Sequence, residues 1–401
     1  MTTIEELTSY CLSCPRPRCE TGCPTRNHIR DFIHCLKEND LPQAAEVLYA
    51  VNPFPELTSR LCDCDRQCQG HCVRGIKGDP VQVQQIERYI ADHSSRPQLQ
   101  QTANGKKAAL VGSGPACLAA AYDLYRGGWE VHICEKEERI GGAILTGIPA
   151  YRFDHSYMDA IAQELQEAGV SFHFGCTVGK DIPLKELQQE YDAVLLGIGA
   201  QVERKYGMEG VNATAGLSLL YDLNVLRKDY HSFQKAIVWG GGNVAMDCAR
   251  SLRRILQDVT VVYRRSEKEM PANRSEILEA KAEGVRFRFL SNVKGLVLDE
   301  EGKVRAARCI RMELGEPDTS GRAAPHEVAG SEEELSVDLF VSAIGQSVDL
   351  QVLDPQLEKG ETHLSSLPKV YLCGDAYLGP KTVAAAITDG RLAAAEILAG
   401  E

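Results

Sequence analysis

No apolar run in this 401-residue chain is long enough to cross a bilayer. Its first residues, Met1 to Leu12, lack the basic-then-apolar pattern of a secretory leader, so a cytoplasmic location is expected. Positive charge is outnumbered, with 44 lysines and arginines against 56 aspartates and glutamates and a formal net charge of −12. That balance disfavours nucleic acid or an anionic membrane surface as the main partner. Residues 1 to about 100 also lack any glycine-rich strand–turn–helix unit. The length suffices for two or three domains, each with its own core.

Cysteine is abundant. Nine of the 15 lie between Cys11 and Cys72. In a secreted protein that density would read as a disulfide framework; in a reducing compartment it reads as metal or redox chemistry. The other six (Cys117, Cys134, Cys176, Cys248, Cys309 and Cys373) are scattered and read as small buried residues.

Residues 1 to about 100 read as short helices between cysteine groups, as around Ile29–Leu36 and Pro42–Ala50, and the polar stretch Ser94 to Gly105 reads as a linker. The composition then changes. Lys107–Val111 is a short apolar strand that runs into Gly112-Ser113-Gly114-Pro115, an alanine-rich helix to about Arg126, and a strand Trp129–Cys134 closed by Glu135. The plan recurs as the strand Ala236–Trp239, Gly240-Gly241-Gly242, the helix Asn243–Leu256 and the strand Val259–Tyr263. Each copy is followed later by an apolar strand ending in glycine, Asp192–Gly199 and Asp338–Gly345. Two copies of one β-α-β plan predict an α/β protein with two Rossmann-like domains and two dinucleotides. The polar stretch Gly315 to Glu334 reads as a surface loop or hairpin.

In the first copy, Gly112 permits a tight turn, and Gly114 and Pro115 open a helix whose free N–H groups favour a pyrophosphate. Glu135 is placed to bond both hydroxyls of an adenine ribose. Cys117 stands where glycine or alanine is usual. In the second copy Gly240, Gly242, Asn243 and Ala245 supply the same mechanics, but no acid closes the second strand. The chain reads Tyr263-Arg264-Arg265-Ser266 instead. Arginines there can hold a 2′-phosphate, which favours NADP over NAD; the alternative is that they form solvated surface pairs.

The cysteine array is Cys11-x2-Cys14-x4-Cys19-x3-Cys23-Pro24, then Cys62-x5-Cys68-x3-Cys72 with Cys64 inside it. The x3-Cys-Pro ending is similar to two-cluster ferredoxins, and thiolates are soft donors suited to iron–sulfur clusters. Structural zinc is the competing reading. Seven or more thiols in such a span, followed by two nucleotide sites, favour clusters.

At this point the sequence resembles the small (β) subunit of glutamate synthase and its relatives. Those include the electron-input half of dihydropyrimidine dehydrogenase and the large subunit of NADH-dependent ferredoxin:NADP oxidoreductase. The marks are the array itself, Gly141 to Pro149 followed by Arg152, Gly240 to Asp247, Val262 to Ser266, Met270-Pro271-Ala272 and Gly374-Asp375, so that the resemblance covers nearly the whole chain. It implies two 4Fe–4S clusters. Cys11, Cys14, Cys19 and Cys72 would hold one. Cys23, Cys62, Cys68 and Glu87 would hold the other, with an exposed helix carboxylate as the plain alternative for Glu87. Cys62-Asp63-Cys64 departs from the family's Cys-Pro step, so either cysteine is a candidate ligand. The resemblance also implies FAD at the first site, with Gly142 and Arg152 against the cofactor and Gly374 and Asp375 at its ribityl or pyrophosphate portion. The helix starting near Thr382 would point its positive end at the flavin ring.

The expected organisation is a helical domain over 1–100 holding two 4Fe–4S clusters, a discontinuous FAD domain over 101–230 and 345–401, and an NAD(P)H domain over 231–344. The expected activity is oxidation of NADPH at FAD, with electrons leaving through the clusters. The chain contains no glutaminase-type nucleophile and no FMN barrel, so the acceptor is expected on a partner subunit of the glutamate synthase, dihydropyrimidine dehydrogenase or ferredoxin-linked kind. Ten residues precede Cys11, which leaves little room for an N-terminal docking extension. A zinc-containing flavin disulfide reductase and a non-catalytic NADP-binding subunit are the competing readings. The first suffers from having its only C-x2-C, Cys11–Cys14, outside the flavin domain.

Overall fold

The computed structural model describes residues 3–204, 207–319 and 321–400. Two compact units emerge: Met1–Ile144 with Phe153–Gln201 and Val348–Glu401, and Leu145–Arg152 with Val202–Ser347.

The first unit begins with helices Ile4–Ser9, Arg18–Thr21, Ile29–Lys37, Leu41–Val51, Pro55–Leu61 and Val83–His93. Their starts are written locally. Thr3 and Glu6 close a capping box, and Asp40 accepts the Gln43 N–H at 3.0 Å ahead of Pro42. Helical spacing puts Ile29, Phe32 and Ile33 on one face and Ile86 and Ile90 on another, and all five are buried with Leu48. Cys23, Cys64 and Cys68 lie in that same core. The stretch 94–105 has no regular structure, as expected, yet it is anchored. Arg96 donates to the Pro53 carbonyl at 2.8 Å and pairs with Glu56 and Glu164.

Beyond it lies a parallel five-stranded sheet in the order Val370–Leu372, Ala193–Leu196, Lys107–Val111, Glu130–Cys134, Ser171–His173. Helix Pro115–Arg126 packs against the helix Val383–Ala399. Only glycine allows that approach: a Cβ on Gly390 would sit 2.0 Å from the Ala116 carbonyl oxygen.

The second unit repeats the sheet as Ala213–Ala215, Leu339–Ser342, Lys235–Trp239, Asp258–Val262, Arg286–Arg288, again parallel. It adds an antiparallel set, in which Val304–Pro317 pairs with Ser291–Leu298, Ala323–Glu327 and Glu333–Ser336. The polar stretch after Gly315 is therefore a hairpin. Helix Asn243–Arg253 stops three residues short of Leu256. There the Ile255 N–H turns back to the Leu252 carbonyl, and Leu256 enters the core. The chain is α/β, with two Rossmann-like sheets following a helical segment. Among the described residues no helix is long and apolar enough to cross a membrane.

Candidate functional site

In the first unit, Gly112 has φ +98 and its Cβ would stand 2.7 Å from the Gly197 carbonyl oxygen, so the turn after Lys107–Val111 admits no side chain. Gly114 is different. It caps the helix Pro115–Arg126 without a side-chain hydrogen bond, and its Cβ would meet nothing within 4 Å. A helix N-terminus with open space above it suits a pyrophosphate. Gly142, at φ +51, closes on this turn, with its Cβ position 2.9 Å from Gly114 Cα. Glu135 is buried. Its Oε2 accepts the Ser113 N–H at 2.8 Å and the Ser113 hydroxyl at 2.5 Å, and its Oε1 accepts the Glu137 N–H. This fixes the carboxylate beside the glycine turn.

Gly374, at φ +63, lies against the same helix, with its Cβ position 2.8 Å from Ala116 Cβ. Its N–H donates to Asp389 at 2.6 Å. Burial lifts the neighbouring Asp375 carboxyl to about 6, against the Lys381 N–H that it accepts. Thr382 caps the helix Val383–Ala399, its hydroxyl accepting the Ala385 N–H at 3.2 Å. Two arrangements here leave no trace in sequence spacing. His363 is buried between Asp389 at 3.2 Å and Glu396 at 2.7 Å, forming a relay that ends on the Gly374 N–H. The Cys117 and Cys373 sulfurs stand 4.0 Å apart across 256 positions.

The second unit builds its turn the same way. A Cβ on Gly240 would lie 2.1 Å from the Ala343 carbonyl oxygen, while Gly242 caps the helix Asn243–Arg253 with nothing within 4 Å. Asn243 and Asn273 are cross-bonded at 2.8 and 3.2 Å, and Ala245 is buried against the sheet. The two arginines part company. Arg264 is exposed. Arg265 is buried, donating to the Ala323 carbonyl at 2.7 Å and pairing with Asp318 of the hairpin. Arg152 also belongs to this unit. Its guanidinium holds both Asp247 oxygens at 2.6 and 2.7 Å and Glu276 at 2.9 Å.

The N-terminal thiols form two groups. Cys11, Cys14, Cys19 and Cys72 line one small cavity, partly open to solvent, with Ile29, Ile33, Val81 and Val83 behind them. Backbone N–H groups already point at two of these sulfurs, Ser13 at Cys11 and Val81 at Cys72, each at 3.5 Å. Burial pushes the Cys19 thiol up to about 12, with further contributions from its neighbours Cys11 and Cys72. Cys23, Cys62, Cys68 and Glu87 form the second group, each within electrostatic reach of others in the set. Glu87 is only 6 % exposed, which removes the exposed-carboxylate alternative. It accepts from the Thr58 hydroxyl and from Asn52 Nδ2, the latter at 3.2 Å. Burial lifts it to about 7, against hydrogen bonds from Thr58 and Asn27. Cys64 is buried in this group as well and hydrogen-bonds Cys68. Among the described residues no three His, Cys, Asp or Glu side chains converge as on a single metal ion.

Comparison with known proteins agrees with this layout. Residues 2–99 match the family model described as dihydropyrimidine dehydrogenase domain II, 4Fe-4S cluster, and residues 106–390 match pyridine nucleotide-disulphide oxidoreductase. The chain is 34% identical to the beta subunit of NADP(+)-dependent formate dehydrogenase from Moorella thermoacetica, across 94% of this chain and 59% of that protein. Mycobacterium tuberculosis FprA in complex with NADPH has the same fold over 73% of this chain and 84% of that one, with a TM-score of 0.61 at 22% identity. The glutamate synthase [NADPH] small chain of Escherichia coli strain K12 is 34% identical over 97% of this chain and 89% of its own length. By that extent of shared sequence, the protein belongs to the glutamate synthase small-chain family of oxidoreductases.

Proposed function

We propose that this chain is an electron-input subunit, taking electrons from NADPH at FAD and passing them through two 4Fe–4S clusters to a partner subunit. The observation that carries this reading is the convergence of Cys11, Cys14, Cys19 and Cys72 on one cavity, in the same compact unit as the first dinucleotide turn. Thiols around a void, rather than meeting at one point, suit a cluster whose ligands stand apart better than zinc. The names of relatives, a small chain and a subunit beta, support a role within a larger assembly.

The residues present fit each group. Open helix N-termini at Gly114 and Gly242 would receive the pyrophosphates of FAD and NADPH. Glu135 would bond the FAD ribose, and Gly142, Gly374 and Asp375 would close over the rest of that cofactor. Of the two arginines, the exposed Arg264 is the one left to meet the 2′-phosphate. When bound, FAD supplies hydride acceptance and one-electron release, and the clusters supply one-electron carriage. Cys23, Cys62, Cys68 and Glu87 would hold the second cluster. The domain order proposed from sequence, a helical segment over 1–100, FAD residues over 101–230 and 345–401 and NADPH residues over 231–344, is adjusted to the compact units: residues 145–152 and 202–230 go with the NADPH residues, since the strand Ala213–Ala215 joins that unit's sheet.

The test is anaerobic. Purified protein loaded with FAD and clusters should show flavin bleaching on addition of NADPH, followed by the electron paramagnetic resonance signals of two reduced clusters. Flavin bleaching with no cluster signal, or none of either, refutes the reading.

A further inference from the structure

His363 is only 6% exposed, and both of its ring nitrogens face carboxylates. Nδ1 stands 2.7 Å from Glu396 Oε1, and Nε2 stands 3.2 Å from Asp389 Oδ1. Glu396 also accepts the His363 main-chain N–H at 3.0 Å, so one carboxylate grips the residue at two points. An ionised carboxylate only accepts hydrogen bonds, and a neutral imidazole has one N–H to give. Both contacts are satisfied together by the imidazolium, a buried cation between two acids. Burial pulls the ring down, and its bonds to Asp389 and Glu396 outweigh that and raise it above 6.5.

The second oxygen of Asp389 links this cation to the first dinucleotide turn. Oδ2 accepts the Gly374 N–H at 2.6 Å. Gly374 holds φ +63 and ψ −142, a conformation that glycine alone adopts readily. Both ends of this bond lie against the first turn of the helix Pro115–Arg126. A Cβ on Gly374 would fall 2.8 Å from Ala116 Cβ, and one on Gly390, the residue after Asp389, 2.0 Å from the Ala116 carbonyl oxygen. Asp389 is itself buried. A buried carboxylate is thus held beside the helix N-terminus where the FAD pyrophosphate would sit, with His363 as its counter-charge. The remaining titratable neighbours come from two elements. On the helix Asp375–Leu378, the Tyr377 ring centre lies 4.4 Å from that of His363 and 4.1 Å from the Lys359 ammonium. Asp375, on the same helix, feels the Asp389 charge and is lifted to about 6, chiefly by burial, so it titrates at lower pH than the ring. At the strand Val370–Leu372, Tyr371 is pushed up by burial and by Glu396, and Cys373 by its bond to Cys117, by burial and by Asp389, so neither ionises near neutral pH.

We propose that His363 is a positioning residue for FAD: its protonated ring neutralises Asp389 and keeps that carboxylate on the Gly374 N–H, so that the protein's grip on FAD follows the protonation of His363. The inference rests on the function proposed above, which puts FAD at the Gly114 turn. When the ring loses its proton, Asp389 is left as an uncompensated buried anion beside the site of the pyrophosphate, and FAD affinity falls. By linkage, FAD binding in mildly alkaline solution draws a proton from solvent onto the ring.

The test uses the full-length protein loaded with FAD and kept oxidised, with the FAD dissociation constant read from flavin fluorescence. Wild-type affinity should fall about tenfold between about pH 7 and 9. His363→Gln should bind FAD about tenfold more weakly at about pH 7 and show no such decline. Asp389→Asn keeps an oxygen for the Gly374 N–H but carries no charge, so it should hold FAD tightly and without the pH dependence. Added to His363→Gln, it should restore the affinity that His363→Gln loses, a rescue that a purely structural role for the ring would not produce. The Asp389→Asn profile decides the matter even where His363→Gln fails to fold. A decline that persists in Asp389→Asn, or a double variant no tighter than His363→Gln, overturns the proposal. Wild-type protein that binds no FAD overturns the functional reading itself, whereas FAD bound with an affinity flat in pH overturns this proposal alone.

Discussion

Removing the Arg152 guanidinium should destabilise the second unit by about 3–5 kcal/mol, the cost of breaking a buried ion pair from one side. The figure follows from the surroundings. The Asp247 side chain is 5% exposed and has both oxygens on Arg152, and Glu276, 10% exposed, gives it one more. Arg250 still pairs with Glu276, but it also serves Glu279 and Glu283, so the network becomes short of cation. In Arg152→Leu the unfolding constant should rise about a hundred- to several-thousand-fold. Trp239, buried in this unit, reports its urea unfolding once Trp129 is replaced by Phe. Asp247→Asn should recover part of the loss when combined with Arg152→Leu, giving a coupling energy above about 1 kcal/mol. The sign with pH also follows. Burial pushes the Asp247 carboxyl up and Arg152 pulls it down, so without Arg152 the folded state binds a proton that the unfolded state has released. The variant's deficit should therefore grow from pH 6 to pH 8. A loss below about 1 kcal/mol, or strict additivity with Asp247→Asn, refutes the reasoning. FAD loss with stability intact would instead give Arg152 the cofactor contact that the family resemblance implies.

Gly114→Val should leave the melting temperature of the apoprotein unchanged and abolish FAD retention, because the clash is with the cofactor alone; Gly112→Val should lower the melting temperature, because its clash is with Gly197. A Gly114→Val protein that purifies with stoichiometric FAD would count against the proposed cradle. Arg264→Ala should raise the KM for NADPH about tenfold and leave that for NADH unchanged, whereas Arg265→Ala should cost about 1–3 kcal/mol of stability through the buried partners it abandons; the opposite assignment would show in steady-state kinetics and urea midpoints. Burial pulls His363 down, but its bonds to Asp389 and Glu396 outweigh that and raise it. Its stabilisation is therefore full below the unfolded value of 6.5 and lost as pH rises through the folded value, and His363→Gln should flatten the pH dependence of the melting temperature. Parallel profiles for the two proteins would exclude that role.

Local chemistry made much of this molecule readable. Glycine turns, apolar strands and caps depend on neighbours in sequence, so both β-α-β units and the helix Val383–Ala399 lie within a residue or so of where the pattern puts them, except that the second unit's helix ends three residues early at Arg253. Long-range partners were not readable. Arg264 and Arg265 are equivalent in sequence, but they follow a strand, where successive side chains point to opposite sides; one faces solvent and the other reaches Asp318, 53 residues on. The antiparallel strands 304–317 and 323–327 carry polar residues on both faces towards their ends, which removes the alternation that marks a half-buried strand. Glu87 showed only as a carboxylate on an amphipathic helix. Its burial depends on Thr58 and Asn52, supplied by a separate helix and loop. The relay through His363 joins residues 363, 374, 389 and 396, a spacing that no motif describes.

The two thiol groups are interleaved in sequence, and that has a mechanical consequence. Cys19 belongs to the half-exposed group and buried Cys23 to the second group, whose Cys62 is itself half-exposed, with only the end of the helix Arg18–Thr21 and Gly22 between them. A side chain on Gly22 would have to displace the His71 ring, 2.4 Å from its Cβ position, and His71 itself adjoins Cys72. One short backbone segment thus fixes the separation of the two groups, and neither can shift without the other. The second group is anchored in turn: the Thr388 hydroxyl donates to the Pro24 carbonyl at 3.0 Å, tying the Cys23-Pro24 step to the helix Val383–Ala399 beside the first dinucleotide turn. Distance controls the rate of electron transfer far more steeply than it controls binding. A fold that ties the dinucleotide turn to the Cys23-Pro24 step, and that step to Cys19, through these short links is built to hold such distances, and all four thiols of the first group are partly exposed.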